Sequence, residues 1–235
     1  MKKYVLATDL DGTFVGDADA FQELCRFFDS LPYTVDFVYL TGRHVDSALS
    51  LIHQEGLPFP QVLVTDVGAC IYTGRALLPD KKWQRMIEKD WNPQRIEEVA
   101  RNIPGVSSQS IPNDRRVSFH VNDRKQAHSL KLALQASGLS YNFVFSSGRD
   151  VDILPEGAGK GKALQYIIEE YGNDQANILV AGDSGNDLDM LTLGYPAVIV
   201  GNAQNELRHV KGKNIYHAKK AYAAGIQEAW KYYYG

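Results

Sequence analysis

Short apolar runs at residues 4–7, 35–40, 62–65, 178–181 and 197–200 are bounded by turn residues and separated by segments of helical periodicity. A continuous apolar run of this length suits a strand buried on both faces of a parallel sheet. Between the runs, apolar residues recur at i, i+3, i+4 and i+7. Val45, Ala48, Leu49 and Ile52 form one such stripe, and Leu164, Ile167, Ile168 and Tyr171 form another. This alternation predicts βαβ units: an α/β fold with a parallel sheet, right-handed crossovers, and functional loops at the carboxyl ends of the strands.

From residue 80 to 154 the pattern changes. Ile96, Val99, Ala100 and Ile103 mark one helix, and Ala127, Leu130 and Leu134 mark another. Residues 116–121 alternate like a strand with one solvated face. Residues 141–145 and 150–154 read as a strand pair around Ser146-Ser147-Gly148, and Pro79 and Pro155 flank the whole region. It reads as an α+β insertion of roughly 75 residues, large enough for a small domain. The expected organisation is a core of residues 1–79 and 155–235 carrying an inserted module at 80–154.

Composition narrows the function classes. The chain has 235 residues, 44% hydrophobic and 23% charged, with a net charge of −3. Without a basic stripe there is no electrostatic case for nucleic acid. No run approaches the roughly 18 apolar residues of a membrane span, and the opening apolar stretch ends at Asp9, too short for a signal sequence. Cys25 and Cys70 lack metal-ligand spacing, which fits reduced packing thiols in a cytoplasmic protein. No feature calls for an obligatory protein partner.

Four segments carry the chemistry. Asp9-Leu10-Asp11-Gly12-Thr13 follows the first run, and Thr41-Gly42-Arg43 follows the second. Gly159-Lys160-Gly161-Lys162 opens the helix that carries Leu164, and Gly182-Asp183-Ser184-Gly185-Asn186-Asp187 follows residues 178–181. In a parallel sheet these loops share one edge. Clustered carboxylates repel one another and call for a metal, a proton or a cation. A set of oxygen ligands without soft competitors suits Mg²⁺. A lysine, a threonine hydroxyl and glycine-rich backbone at a helix start suit a phosphoryl group, on which a carboxylate can act as nucleophile.

The ordered set resembles the haloacid dehalogenase (HAD) phosphatase superfamily, and the position of the insertion resembles the C2-type caps of Cof-like phosphatases. Nearer still is the sucrose-phosphate phosphatase family, through residues 66–72, 145–155, 182–187 and 202–207. The resemblance implies a Rossmann-like core with a cap that selects the substrate, and it assigns roles by position. Asp9 matches the nucleophile and Asp11 the general acid and base. Mg²⁺ would be held by Asp9, the Asp11 carbonyl and Asp183, with Asp187 direct or through water. Thr41, Gly42, Lys160 and Asn186 would hold the phosphoryl group. The implied reaction is hydrolysis of a sugar phosphate, sucrose 6-phosphate foremost. Trehalose 6-phosphate, mannosyl-3-phosphoglycerate, a hexose phosphate, a phosphomutase reaction and a non-catalytic phospho-sugar sensor are the alternatives.

Other polar residues have simpler readings. Lys162 and Asp189 read as solvated, His44 as a helix-terminal residue, Asp66 as the edge of a turn, and Trp83, Trp91 and Trp230 as packing residues. Arg43 divides between a carboxylate partner and the substrate. In the cap, His120, Arg149 and Asp152 can hydrogen-bond sugar hydroxyls if they face the core; the competing reading is ordinary solvated sheet polarity.

Overall fold

The structure is a computed structural model that describes residues 3–171 and 176–235. The chain opens with β1 (Tyr4–Thr8), α1 (Ala18–Asp29), β2 (Val35–Leu40), α2 (Val45–Gln54) and β3 (Val62–Thr65). A hairpin of β4 (Cys70–Thr73) and β5 (Leu78–Pro79) follows, then α3 (Lys81–Ile87). The inserted layer comprises α4 (Pro93–Arg101), β6 (Val106–Ser108), β7 (Val117–Val121), α5 (Arg124–Ala136), β8 (Asn142–Ser146) and β9 (Asp150–Leu154). The chain then returns through α6 (Lys160–Glu170), β10 (Asn177–Gly182), α7 (Leu188–Leu191), β11 (Ala197–Ile199), β12 (Ile215–His217) and α8 (Tyr222–Tyr234).

The first sheet has the order β12-β11-β10-β1-β2-β3-β4-β5. It is parallel from β12 to β3, and β4 and β5 add an antiparallel edge. Successive side chains of a strand point to opposite faces, and both faces are covered. Val5 and Ala7 pack with α3, α6 and α7, whereas Leu6 packs with α1, α2 and α8. That two-sided burial is why β1 reads as an unbroken apolar run. The chain leaves β1 toward β2 on one side and later returns to pair β10 on the other. The crevice beyond the carboxyl end of β1 is therefore the switch point where open α/β sheets bind ligands.

The second sheet, β6-β7-β9-β8, is wholly antiparallel. Val117, Phe119, Val121, Val151 and Ile153 face α4 and α5, against Ile96, Ala100, Leu130 and Leu134. The opposite face carries Ser118 across from Asp152 and His120 across from Asp150. α3 packs with the first sheet instead: Trp83 and Ile87 are buried in its core cluster, and Trp83 Nε1 donates to the Gly68 carbonyl at 3.2 Å. Asp80 caps α3 by accepting from the Lys82 and Trp83 amides, and its other oxygen accepts from the Tyr166 and Tyr171 hydroxyls at 2.9 and 2.6 Å. The first crossing into the inserted layer is thereby fastened to α6. Among the described residues no helix is long and apolar enough to cross a membrane.

Candidate active site

Four loops converge beyond β1. The β1–β10 pairing continues one residue past the strand, as the Asp9 amide donates to the Ala181 carbonyl at 3.0 Å. Lys160 is the first residue of α6 and is wholly buried. Its Nζ donates to Asp9 Oδ1 and to Asp187 Oδ1, both at 2.6 Å. Asp187 Oδ2 accepts the Asp183 and Ser184 amides at 2.9 and 3.0 Å, so both of its oxygens are engaged in shaping the loop and holding the lysine. Thr13 Oγ1 donates to Asp183 Oδ1 at 2.9 Å. Thr41 is buried, and Asn186 lies across from Gly42, where an added Cβ would stand 3.8 Å from the Asn186 amide nitrogen.

Gly68 sets the position of α6. It sits at φ +97°, and a side chain there would run into the Gly159 carbonyl and the Lys160 nitrogen within 2.3–2.7 Å. Asp189 departs from its reading as a merely solvated residue. Though on the surface, its Oδ2 accepts the Gly161 amide at 2.8 Å and ties down the first turn that presents Lys160. The residues are 28 apart in sequence, which hides the contact from local pattern.

The electrostatics favour a bound cation. Asp9, Asp183 and Asp187 offer carboxylate oxygens within 4.8 Å of one another. Burial lifts the Asp9 carboxyl well above its usual range; Lys160 opposes the rise and Asp187 and Asp183 add to it. Asp183 is pushed up to about 7, by burial first and then by Asp187. Burial alone would lower the Lys160 ammonium, but Asp187 and Asp9 outweigh it and hold it raised. Fully ionised, three carboxylates would exceed the one ammonium by two negative charges, and a hard divalent cation would relieve the repulsion that raises Asp9 and Asp183.

Asp11 is half exposed and held from both sides of its carboxylate by Arg43, whose Nε and Nη2 each donate at 2.7 Å. Arg43 therefore takes the carboxylate of its two sequence readings. His44 caps α2 and Trp230 is buried packing. Asp66 directly follows β3 in a left-handed conformation at φ +52° and is 1% exposed, so it does bound a turn.

A cavity of about 610 Å³ joins the two layers, lined by Asp9, Asp11, Arg43 and Asp183 from the first and by Arg116 and Ser147 from the second. Of the three cap residues singled out in the sequence, Asp152 is buried and accepts from Arg116 Nη1 at 2.8 Å and from Ser118. His120 is exposed and pairs with Asp150 at 2.8 Å. The Arg149 side chain is 72% exposed and lies 3.9 Å from Asp150; neither His120 nor Arg149 lines the cavity. Sequence reasoning missed Arg116 and Glu206. Arg116 shares the period-2 face of Ser118 and His120, so strand alternation marked the face without marking the residue. Glu206 Oε1 accepts the amide of Ser147 at 2.8 Å and that of Gly185 at 3.2 Å, joining the tip of the β8–β9 hairpin to the aspartate loop.

A parallel sheet with Asp9 just past its first strand, a lysine at a later helix start and an inserted antiparallel sheet defines a HAD-type hydrolase fold. The sequence matches the family described as sucrose-6F-phosphate phosphohydrolase over residues 2–234, and the chain belongs to that family. It is 33% identical over 97% of its length to a glucosylglycerol-phosphate synthase of Pseudomonas anguilliseptica. To a mannosylfructose-phosphate phosphatase of Agrobacterium fabrum it is 31% identical, covering 97% of this chain and 96% of that one. The crystal structure of the sucrose-phosphatase from Synechocystis sp. PCC6803, in complex with sucrose and phosphate, superposes with a TM-score of 0.90 at 31% identity, covering 99% of this chain and 98% of that one. The chain spans 30% of the length of the synthase and 58% of that of sucrose-phosphatase 2 of Nicotiana tabacum.

Proposed function

We propose that the protein is a Mg²⁺-dependent phosphatase that hydrolyses a disaccharide phosphate, sucrose 6-phosphate foremost, to the free sugar and phosphate. The observation that carries this reading is the cavity in which Asp9 and Asp11 face an inserted polar layer, in a chain whose family is described by that reaction. The Agrobacterium relative is a phosphatase for mannosylfructose phosphate, so a second disaccharide phosphate belongs in the same test. Residues 80–154 act as the cap that selects the sugar, with α3 as its root on the core of 1–79 and 155–235. The free thiols Cys25 and Cys70 fit a cytoplasmic location.

Asp9 is the nucleophile. Lys160 holds Oδ1, leaving Oδ2 to attack phosphorus; the bond from phosphorus to the sugar oxygen breaks and an aspartyl-phosphate forms. Asp11 gives the leaving oxygen its proton, then takes one from the water that attacks the same phosphorus, releasing phosphate and restoring Asp9. Since Arg43 engages both Asp11 oxygens, each proton transfer requires one of those bonds to open. Thr41, Gly42, Lys160 and Asn186 hold the transferring group. Asp9, the Asp11 carbonyl and Asp183 would hold Mg²⁺, with Asp187, the third of the clustered carboxylates, direct or through water. When bound, the ion neutralises charge on the phosphoryl oxygens.

The test is phosphate release from sucrose 6-phosphate, mannosylfructose phosphate, trehalose 6-phosphate, mannosyl-3-phosphoglycerate and glucose 6-phosphate, with and without Mg²⁺. Mg²⁺-dependent release fastest on a disaccharide phosphate is expected. Isomerised hexose phosphate without free phosphate would make the protein a phosphomutase, and tight binding without turnover would make it a sensor.

A further inference from the structure

One charged side chain of the cavity has no task in that reaction. Arg116 directly precedes β7, so it arrives from the second sheet, yet it lines the same cavity as Asp9 and Asp11. Its side chain is 11% exposed. Asp152 holds Nη1 at 2.8 Å, and Ser118 donates to the same Asp152 oxygen, fixing the acceptor in turn. Asp66 of the first sheet is the other carboxylate nearby. Its Oδ1 lies 3.5 Å from Arg116 Nε and already accepts from Asn113 at 3.2 Å. Among the described residues, Nε is the one buried side-chain nitrogen or oxygen without a hydrogen-bond partner. That nitrogen is itself sealed from solvent, so the donors open to a ligand are the guanidinium N–H groups that Asp152 does not hold; a guanidinium already pinned loses little freedom when it bonds a further oxygen.

The surroundings decide which oxygen that is. Asp152 and Asp66 are both buried carboxylates, and together they more than neutralise the one guanidinium. That leaves a phosphate dianion little attraction there, but it leaves directional N–H donors suited to neutral hydroxyls. Lys160 already holds Asp9 from the first sheet and Asn186 lines the same cavity, so a phosphate seated on Asp9 turns its ester group toward the second.

We infer that Arg116 is a specificity-determining residue through which the inserted layer reads the sugar, its spare donors bonding hydroxyl oxygens of the leaving group while Asp152 holds it in place. This rests on the hydrolase reading above. The test compares wild type, Arg116→Gln and Arg116→Lys on sucrose 6-phosphate and on para-nitrophenyl phosphate, a monoester with no sugar hydroxyls. Arg116→Gln is expected to raise KM for the sugar phosphate on the order of 10- to 100-fold, with kcat changed far less and kcat/KM for the aryl ester within about threefold. Arg116→Lys should fall between, because an ammonium lacks the planar fork. Where Arg116→Gln leaves Asp152 unpaired and does not fold, the lysine variant carries the comparison. Equal losses on both substrates, or unchanged KM for the sugar phosphate, would overturn the inference. Calorimetric binding of sucrose separates the two readings: a wild type that turns over neither substrate sinks the hydrolase reading, while weaker sucrose binding by the Arg116 variants supports the inference and equal binding overturns it.

Discussion

The two sheets place their polar groups by different rules. In the eight-stranded sheet the functional side chains lie just past strand ends or at a helix start, and they interlock: Lys160 bridges Asp9 and Asp187, Asp187 holds two backbone amides, and Thr13 holds Asp183. In the four-stranded sheet the polar groups sit on the strands themselves, and their burial falls along one face from Asp152 and Ser118 to His120 and the hairpin tip at Arg149. The first arrangement is a closed network in which no member is spare. The second is a gradient in which a residue matters according to how near it stands to the cavity. Substitutions should therefore be severe and uniform in the first sheet and graded in the second.

The largest effect is expected at Asp9. Asp9→Asn removes the proposed nucleophile, and turnover of any phosphomonoester should fall on the order of 10⁴-fold or more. The melting temperature should hold or rise, since one of three crowded carboxylates becomes neutral. Retention of a tenth of the wild-type rate would break the assignment. Lys160→Met comes next. Loss of the ammonium that bridges Asp9 and Asp187 should cost about 3–5 kcal/mol of stability in urea unfolding, along with on the order of 10²–10³ in kcat. A stable variant that merely binds substrate more weakly would show the lysine to be a surface-like contact, and the network would not be closed.

That contrast also explains what the amino-acid sequence discloses. Buried parallel strands write themselves as apolar runs, and residues 35–40 and 62–65 coincide with β2 and β3. The loops past those runs are short, so Asp9, Thr41 and Asp183 could be assigned to one edge before any coordinates. The strand pair expected around Ser146-Ser147-Gly148 is β8 and β9. The β4–β5 edge hairpin and α8 carry no such strong signature, and they enter only with the coordinates. In the second sheet, alternation revealed which face is polar but not which polar residue touches the cavity. Arg116 and His120 sit on the same face four residues apart, and only tertiary packing distinguishes the arginine beside Asp66 from the exposed histidine. Contacts such as Glu206 to Ser147, 59 residues distant, have no local trace at all.

Glu206 tests where the closed network meets the gradient. Its carboxylate accepts one amide from each layer, and Gly185 is so close beneath the Phe145 carbonyl that an added Cβ would stand 2.5 Å from it. Glu206→Ala should loosen the hairpin tip against the aspartate loop and raise KM for the sugar phosphate about three- to tenfold, with kcat reduced less. A fall in kcat as deep as that of Lys160→Met would place Glu206 inside the catalytic network.

The smallest effect is expected at Arg149. Its side chain is the most exposed of the three cap residues proposed from the sequence, and its nearest carboxylate, Asp150, is 3.9 Å from Nε. Asp150 is already paired with His120 at 2.8 Å, so loss of the arginine strands no charge. Exposed ion pairs of this length contribute little, because water competes for both partners and the long side chain gives up its freedom to hold the contact. Arg149→Ala should therefore leave kcat, KM and melting temperature within about twofold and a degree or so of wild type. A tenfold rise in KM confined to the sugar phosphate would mean that the hairpin tip folds over the sugar during turnover. The gradient along the polar face would then describe the resting arrangement alone, and the outer residues of the second sheet would join Arg116 in reading the substrate.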